Sequence, residues 1–301
     1  MKRTLKKIRQ RATRTAARAE DLAARCPSCG HESPGRFCAA CGEDKRRNRN
    51  YSLFGHLGEA FKVVTNIESG FFRTFRALIA KPGLLTSEYF AGRRKLYLKP
   101  LQLFLFCNII FFFVQSYTRF NTLSTPLYVH LYQLPYSGFA RQRVSKVLRS
   151  RGTPYKEYEA RFNATIENQA KTLVVLMIPM FALLLMLLYW RPQRYFVEHL
   201  VFSIHFFSGF LLLLSANLLL NTLVVGVVRL ITTNLGILEH DYLFSVILLL
   251  ACLTYLLIAV RRAYAQGWVL TVVKCLILTG GLLFILQFYR LCLFFTALYS
   301  V

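Results

Sequence analysis

Residues 172–190 read TLVVLMIPMFALLLMLLYW and, after RPQR, residues 195–220 read YFVEHLVFSIHFFSGFLLLLSANLLL. Between them the two runs carry one formal charge, Glu198. A hydrocarbon core about 30 Å thick takes about 20 apolar residues of helix to cross, so each run is long enough to span. Pro179 sits inside the first, where a kink is tolerated in lipid because neighbouring helices satisfy the freed carbonyl. The RPQR turn keeps its two arginines at a membrane face.

Working outward from this pair, three more apolar runs have the composition of spans. LQLFLFCNIIFFFVQSY covers 101–117, and two further spans are predicted near 243–260 and 269–289. The spans at 172–190 and 195–220 complete a transmembrane domain over 100–295. The fold class that follows is an all-α integral membrane protein of about five transmembrane helices, preceded by a small N-terminal zinc ribbon. Totals agree: 55% of the 301 residues are hydrophobic and mean hydropathy is +0.40, more than a soluble domain carries.

The chain is also strongly basic, with a formal charge of +24. Apolar and basic character coexist because they are segregated. Residues 1–99 hold 22 Lys/Arg against 8 Asp/Glu, and residues 118–171 hold 9 against 3. Lys and Arg in short flanks mark the cytoplasmic side. GRRKLYLK before the first span, WRPQR between the second and third, and RRAYAQ between the fourth and fifth alternate onto one side, which is predicted to be the cytoplasm with the N-terminus. The loop 118–171 is basic yet falls outside in this scheme, but Arg141 to Arg151 lie far from either flanking span and weigh little in the rule.

The N-terminal stretch contains CPSCGHESPGRFCAACGE at 26–43. Cys26-x-x-Cys29-Gly and Cys38-x-x-Cys41-Gly are two metal-gripping turns, with glycines free to adopt a positive φ so that backbone N–H groups point at sulfur. Four thiolates complete a tetrahedron, which makes a closed structural Zn2+ site with no open position for catalysis. Reduced thiolates need a reducing compartment, which again places the N-terminus in the cytoplasm. Cys107, Cys252, Cys275 and Cys292 are scattered in or beside apolar runs, where cysteine is a small buried hydrophobe. A disulfide framework does not fit this distribution.

Residues 1–25 lack the apolar core of a secretory signal. They resemble a transit peptide in composition, but a basic amphipathic segment near anionic lipid is the preferred reading. Residues 51–99 show helical spacing at Leu53, Leu57, Phe61 and Val64, and again at Phe71, Phe72, Phe75, Leu78 and Ile79, and are predicted to form cytoplasmic amphipathic juxtamembrane helices. Arg93, Arg94 and Lys95 form a basic turn facing lipid headgroups.

The segment GFFRTFRALIAKPGLLTSEYFAGRRKLYLKPLQLFLF, with Arg73, Thr74, Arg76, Pro82, Gly83, Gly92, Arg93, Arg94, Tyr97 and Pro100, resembles a bacterial inner-membrane family of unknown function. Its members carry an N-terminal zinc ribbon and a Gly-Arg-Arg-x-x-Tyr-x-x-Pro turn before the first span. The stretches holding Glu198, His199 and His205, and Arg261, Arg262, Tyr264, Gln266, Trp268 and Lys274, are similar to it as well. Glu43 departs from the Gln common in relatives and touches no ligand. The resemblance implies a helical protein of the bacterial inner membrane and supplies no activity.

Ionisable residues within spans are candidate functional groups. Glu198 and His205, seven residues apart, share a helical face, and Lys274 enters the fifth span at comparable depth. A Glu198–Lys274 pair is geometrically open to them, as is simple snorkelling. Asn108, Asn217 and Asn221 read as interhelical hydrogen-bond donors and acceptors. No P-loop, HExxH, dinucleotide fingerprint or Ser/His/Asp set occurs. The favoured function is a non-enzymatic scaffold or regulator whose zinc ribbon docks a protein partner, with anionic lipid as the second partner. One alternative is an ion-coupled permease using Glu198, His205 and Lys274. The other is a nucleic-acid or ribosome tether, which DKRRNRN suggests but the scarcity of nearby aromatics does not favour.

Overall fold

The computed structural model describes residues 25–26, 29–32, 37–38, 40–41, 70–118, 122–189, 194–231 and 242–301. The expected amphipathic segment over residues 1–24 and the helix over 53–64 lie outside them. Among the described residues, eleven helical elements follow the cysteine-rich hairpin. They are α1 (Phe71–Ala80), α2 (Leu84–Phe90), α3 (Pro100–Thr118), α4 (Leu127–Tyr132), α5 (Ser137–Arg151), α6 (Tyr155–Leu173), a 3₁₀ turn (Val174–Leu176), α7 (Met177–Leu188), α8 (Phe196–Ile231), α9 (Tyr242–Tyr264) and α10 (Trp268–Ser300). Among the described residues, five helical stretches have the length and hydropathy to cross a membrane: α3, α6 through α7, the greater part of each of α8 and α9, and the whole of α10.

Residue chemistry explains the irregularities. Pro179 has no N–H to donate to Val175 and its ring crowds that carbonyl. The chain answers with the 3₁₀ turn at Val174–Leu176, one turn upstream, and then resumes as α7. Helix α3 begins at Pro100, whose fixed φ suits a first turn, and its 19 residues extend about 28 Å, close to the hydrocarbon thickness.

Helix α8 is central. It packs against α3, α7 and α9, while α10 packs against α6, α7 and α9. The core is aromatic: Phe181 stacks on Phe206 with centroids 5.1 Å apart and meets Phe207 edge-on at 5.8 Å. Cys107 and Cys275 are fully buried among these helices. Asn108 Nδ2 donates to the Lys171 carbonyl at 3.1 Å, tying α3 to α6.

At one end of the bundle, α1 and α2 form a collar against α8 and α9. Thr74, Ala77, Leu78, Leu85, Thr86 and Tyr89 turn inward and are buried, while Phe72 and Ile79 stay exposed. Thr74 Oγ1 donates to the Gly70 carbonyl at 2.7 Å and accepts the Leu98 N–H at 3.0 Å, so one hydroxyl ties the collar to the turn that feeds α3.

The opposite end differs from the sequence expectation of a loop over 118–171. That stretch is largely helical, comprising α4, α5 and α6. Tyr158, Phe162, Ile166 and Ala170 recur every four residues and are buried, giving α6 a continuous apolar stripe. The partner of that stripe is the far end of α10, where Phe294 meets Phe162 at 6.0 Å and His130 at 5.3 Å. Helix α10 therefore runs past residue 289 to Ser300.

Candidate metal centre and buried polar site

In the hairpin, the Cys26 N–H donates to the His31 carbonyl at 2.9 Å, and the Gly30 N–H returns to the Cys26 carbonyl at 2.9 Å. Gly30 has φ +74°, the conformation expected of the residue after the first cysteine pair. Arg25 bridges to Glu32 across the hairpin, and their side chains form an ion pair at 2.7 Å. This geometry brings Cys26, Cys29, Cys38 and Cys41 together with all four Sγ atoms within 4.8 Å of one another. Two of the edges measure 3.4 Å (Cys26–Cys41) and 3.5 Å (Cys29–Cys38). A tetrahedron with metal–sulfur bonds of about 2.3 Å has edges of about 3.8 Å, so the four thiols fit one ion. The backbone N–H of Cys41, and then that of Ala40, hold the Cys38 thiol down at about 6, which favours the thiolate that a metal needs. His31 is exposed and stands outside the four.

The three polar residues singled out in the spans have three different sets of partners. Glu198 is the third residue of α8 and its Oε2 accepts the Tyr195 N–H at 3.1 Å. That is the carboxylate half of a capping box, and it places negative charge at the positive end of the helix dipole. Arg194 lies 3.9 Å from the same carboxylate. Lys274 places its ammonium 3.7 Å from the Tyr189 ring centroid, a cation–π contact. His205 Nδ1 lies 2.9 Å from Thr86 Oγ1, so the collar helix α2 is hydrogen-bonded to α8 through two buried side chains.

His199 and Tyr264 stand in the sequence only within the stretches similar to the family, and the structure pairs them. His199 is buried and its Nδ1 lies 2.8 Å from Tyr264 Oη. Tyr264 in turn stacks on Tyr189 at 4.0 Å and lies under the Arg194 guanidinium, which also covers Phe90 at 4.5 Å. The basic turn is likewise engaged. Arg93 forms a bidentate pair with Glu88, Arg94 lies 4.4 Å over Tyr89, and Lys95 is exposed.

Around His205 the collar and bundle leave a small pocket lined by residues including Lys81, Gly83, Thr86, His205 and Tyr255. Tyr255 Oη donates to the Leu78 carbonyl at 3.1 Å, and Arg262 Nη1 donates to the Pro82 carbonyl at 2.8 Å. Both bonds satisfy carbonyls at the α1–α2 elbow from α9. Thr86→Val keeps side-chain volume and removes the hydroxyl. We expect it to destabilise the detergent-solubilised protein by about 1 kcal/mol, the scale of a buried interhelical hydrogen bond in membrane proteins. Thermal melting should show this loss, and a double-mutant cycle with His205→Phe should show coupling between the two sites; additive effects would mean that the contact contributes nothing.

A family model described as a protein of unknown function (DUF3667) matches residues 68–112. That segment contains the whole collar, the turn at 91–99 and most of α3. It includes Thr74, Gly83, Thr86 and Arg93, whereas His205, Tyr255 and Arg262 come from helices beyond it. No curated protein and no solved structure matches the chain.

Proposed function

We propose that the chain is a non-enzymatic scaffold or regulator of the bacterial inner membrane. Its N-terminus lies in the cytoplasm and presents a zinc ribbon that docks a protein partner. The observation carrying this reading is the convergence of four thiols on one point, with no other metal-binding side chain joining them among the described residues. Such a set saturates a zinc ion and leaves nothing for substrate, so the module serves as a folded surface. Orientation is supported by the collar end, where Arg73, Arg76, Lys81, Lys95, Arg261 and Arg262 cluster at exposed positions, as the positive-inside rule requires of a cytoplasmic face. Anionic headgroups are the natural second partner of these cations.

The permease alternative draws less support. It needs Glu198, His205 and Lys274 to serve one route, and their contacts are a helix cap, a threonine and a tyrosine face. The test is chemical crosslinking of the full-length protein in its native membrane, comparing wild type with Cys38→Ser. A specific crosslinked protein should disappear in the variant while membrane insertion persists. An identical crosslink pattern in both would overturn the docking role.

A further inference from the structure

Helix α5, SGFARQRVSKVLRSR, carries five cations and no carboxylate. Its apolar stripe is already occupied: Ala140 and Val144 are buried, and Val147 and Leu148 pack on the core. The face left over is cationic, with Arg141, Arg143, Lys146, Arg149 and Arg151 all exposed. The carboxylates at the start of α6 do not cancel it. Glu157 is held by Arg161 at 2.6 Å and Glu159 by Tyr155 Oη at 3.4 Å, both within α6.

The height of α5 relative to the bilayer follows from its neighbours. Helix α3 has about the length of the hydrocarbon layer and ends at Thr118, with Tyr117 75% exposed. Helix α10, with 33 residues, is about 50 Å long and overruns the hydrocarbon by about 20 Å. Helix α5 packs on α4 and reaches that overrun through Phe139, 5.9 Å from Phe295, with its N-cap residue Tyr136 6.2 Å from Phe294. Tyr128, Tyr132, Tyr155 and Tyr299 are also exposed at this end, forming an aromatic belt of the kind that marks headgroup level. Arg141 lies over the Tyr132 ring at 6.0 Å, and Arg143 lies over Phe139 at 5.1 Å, so the cations and the belt share one level.

We propose that α5 is a binding surface for anionic phospholipid headgroups in the leaflet opposite the α1–α2 collar. Phosphate oxygens accept from the guanidinium groups, and the belt positions the helix to meet them. This resolves the discordant charge of residues 118–171. Those cations face outward beside the aromatic belt and form a recognition surface. It is separate from the metal module and holds whether or not that module docks a protein.

The full chain is reconstituted in vesicles containing a photoactivatable phospholipid, either anionic phosphatidylglycerol or zwitterionic phosphatidylethanolamine, and adducts are mapped by mass spectrometry. The anionic probe should label residues 137–161 at least fivefold more than the zwitterionic one, with the preference falling as salt rises. Replacing the five cations with Gln should reduce labelling to the zwitterionic level and abolish the preference. Replacing the arginines with Lys should retain most of it and confirms that the fold tolerates change here. Equal labelling by the two probes, or a preference indifferent to salt, would overturn the proposal. So would protection of α5 by soluble polyphosphate in vesicles where the anionic lipid gives no preference, an outcome assigning the surface to a soluble polyanion instead.

Discussion

Cys26→Ser should remove bound metal from residues 26–41 and unfold that module, while leaving the helical bundle at its wild-type stability. Among the described residues of the hairpin, only Cys26 and Cys38 are buried, so there is no apolar core to fall back on. In a segment this small the free energy of metal binding is the free energy of folding, about 10–16 kcal/mol for structural zinc at neutral pH. Serine keeps the shape but is a poor zinc ligand, and the three remaining thiols leave one corner of the tetrahedron open. Elemental analysis of purified protein should fall from about one zinc per chain toward none, and protease should then cut within 26–41. The thermal midpoint of the bundle should not move, because the core cluster of the described residues contains none from the hairpin. A full complement of metal in the variant would show that these cysteines do not hold it.

The division between what was readable in one sequence and what was not follows the range of the interactions involved. Composition and periodicity act locally, so the five apolar stretches, the break near Pro179 and the converging cysteines could all be read directly. The stripe Tyr158, Phe162, Ile166 and Ala170 is also local, but it lies among enough charged residues to mask its helical spacing within the basic stretch 118–171. Its burial depends on Phe294, more than 120 residues later, and no local pattern contains that information. Glu198 shows the reverse error. A carboxylate in an apolar run invites a functional reading, yet it lies in the first turn of α8, where a carboxylate caps. The usual signal, Ser or Thr three residues earlier, is absent because Tyr195 contributes only its backbone N–H. Thr86 gave no signal at all, since a hydroxyl in LLTSEYF gains meaning only when His205, 119 residues away, is placed opposite it.

Gly83→Ala should be the most damaging single methyl group in the collar. Gly83 has φ +78° and stands at the start of α2, so an L side chain is strained there by about 1–2 kcal/mol. A Cβ would also lie 2.5 Å from the Ala259 carbonyl oxygen and 2.9 Å from its Cα. Those atoms are helix backbone in α9 and cannot rotate away, so relief requires separating α2 from α9, an overpacking cost of about 1–3 kcal/mol more. The sum, about 2–5 kcal/mol, would loosen the elbow whose carbonyls Tyr255 and Arg262 satisfy. Two other glycines calibrate the effect. Gly152 has φ +65° with nothing within 4 Å of a Cβ, so Gly152→Ala carries the strain alone. At Gly209 the three atoms nearest a Cβ all belong to the Tyr255 side chain, with its hydroxyl at 2.2 Å, and that ring can swing aside at the cost of its bond to Leu78. The expected order of destabilisation by thermal melting is Gly83 first, with protease sensitivity appearing between residues 80 and 100. If Gly83→Ala melted no lower than Gly152→Ala, α2 would not be seated on α9, and the hydrogen bonds from His205, Tyr255 and Arg262 to the collar would lose their structural meaning together.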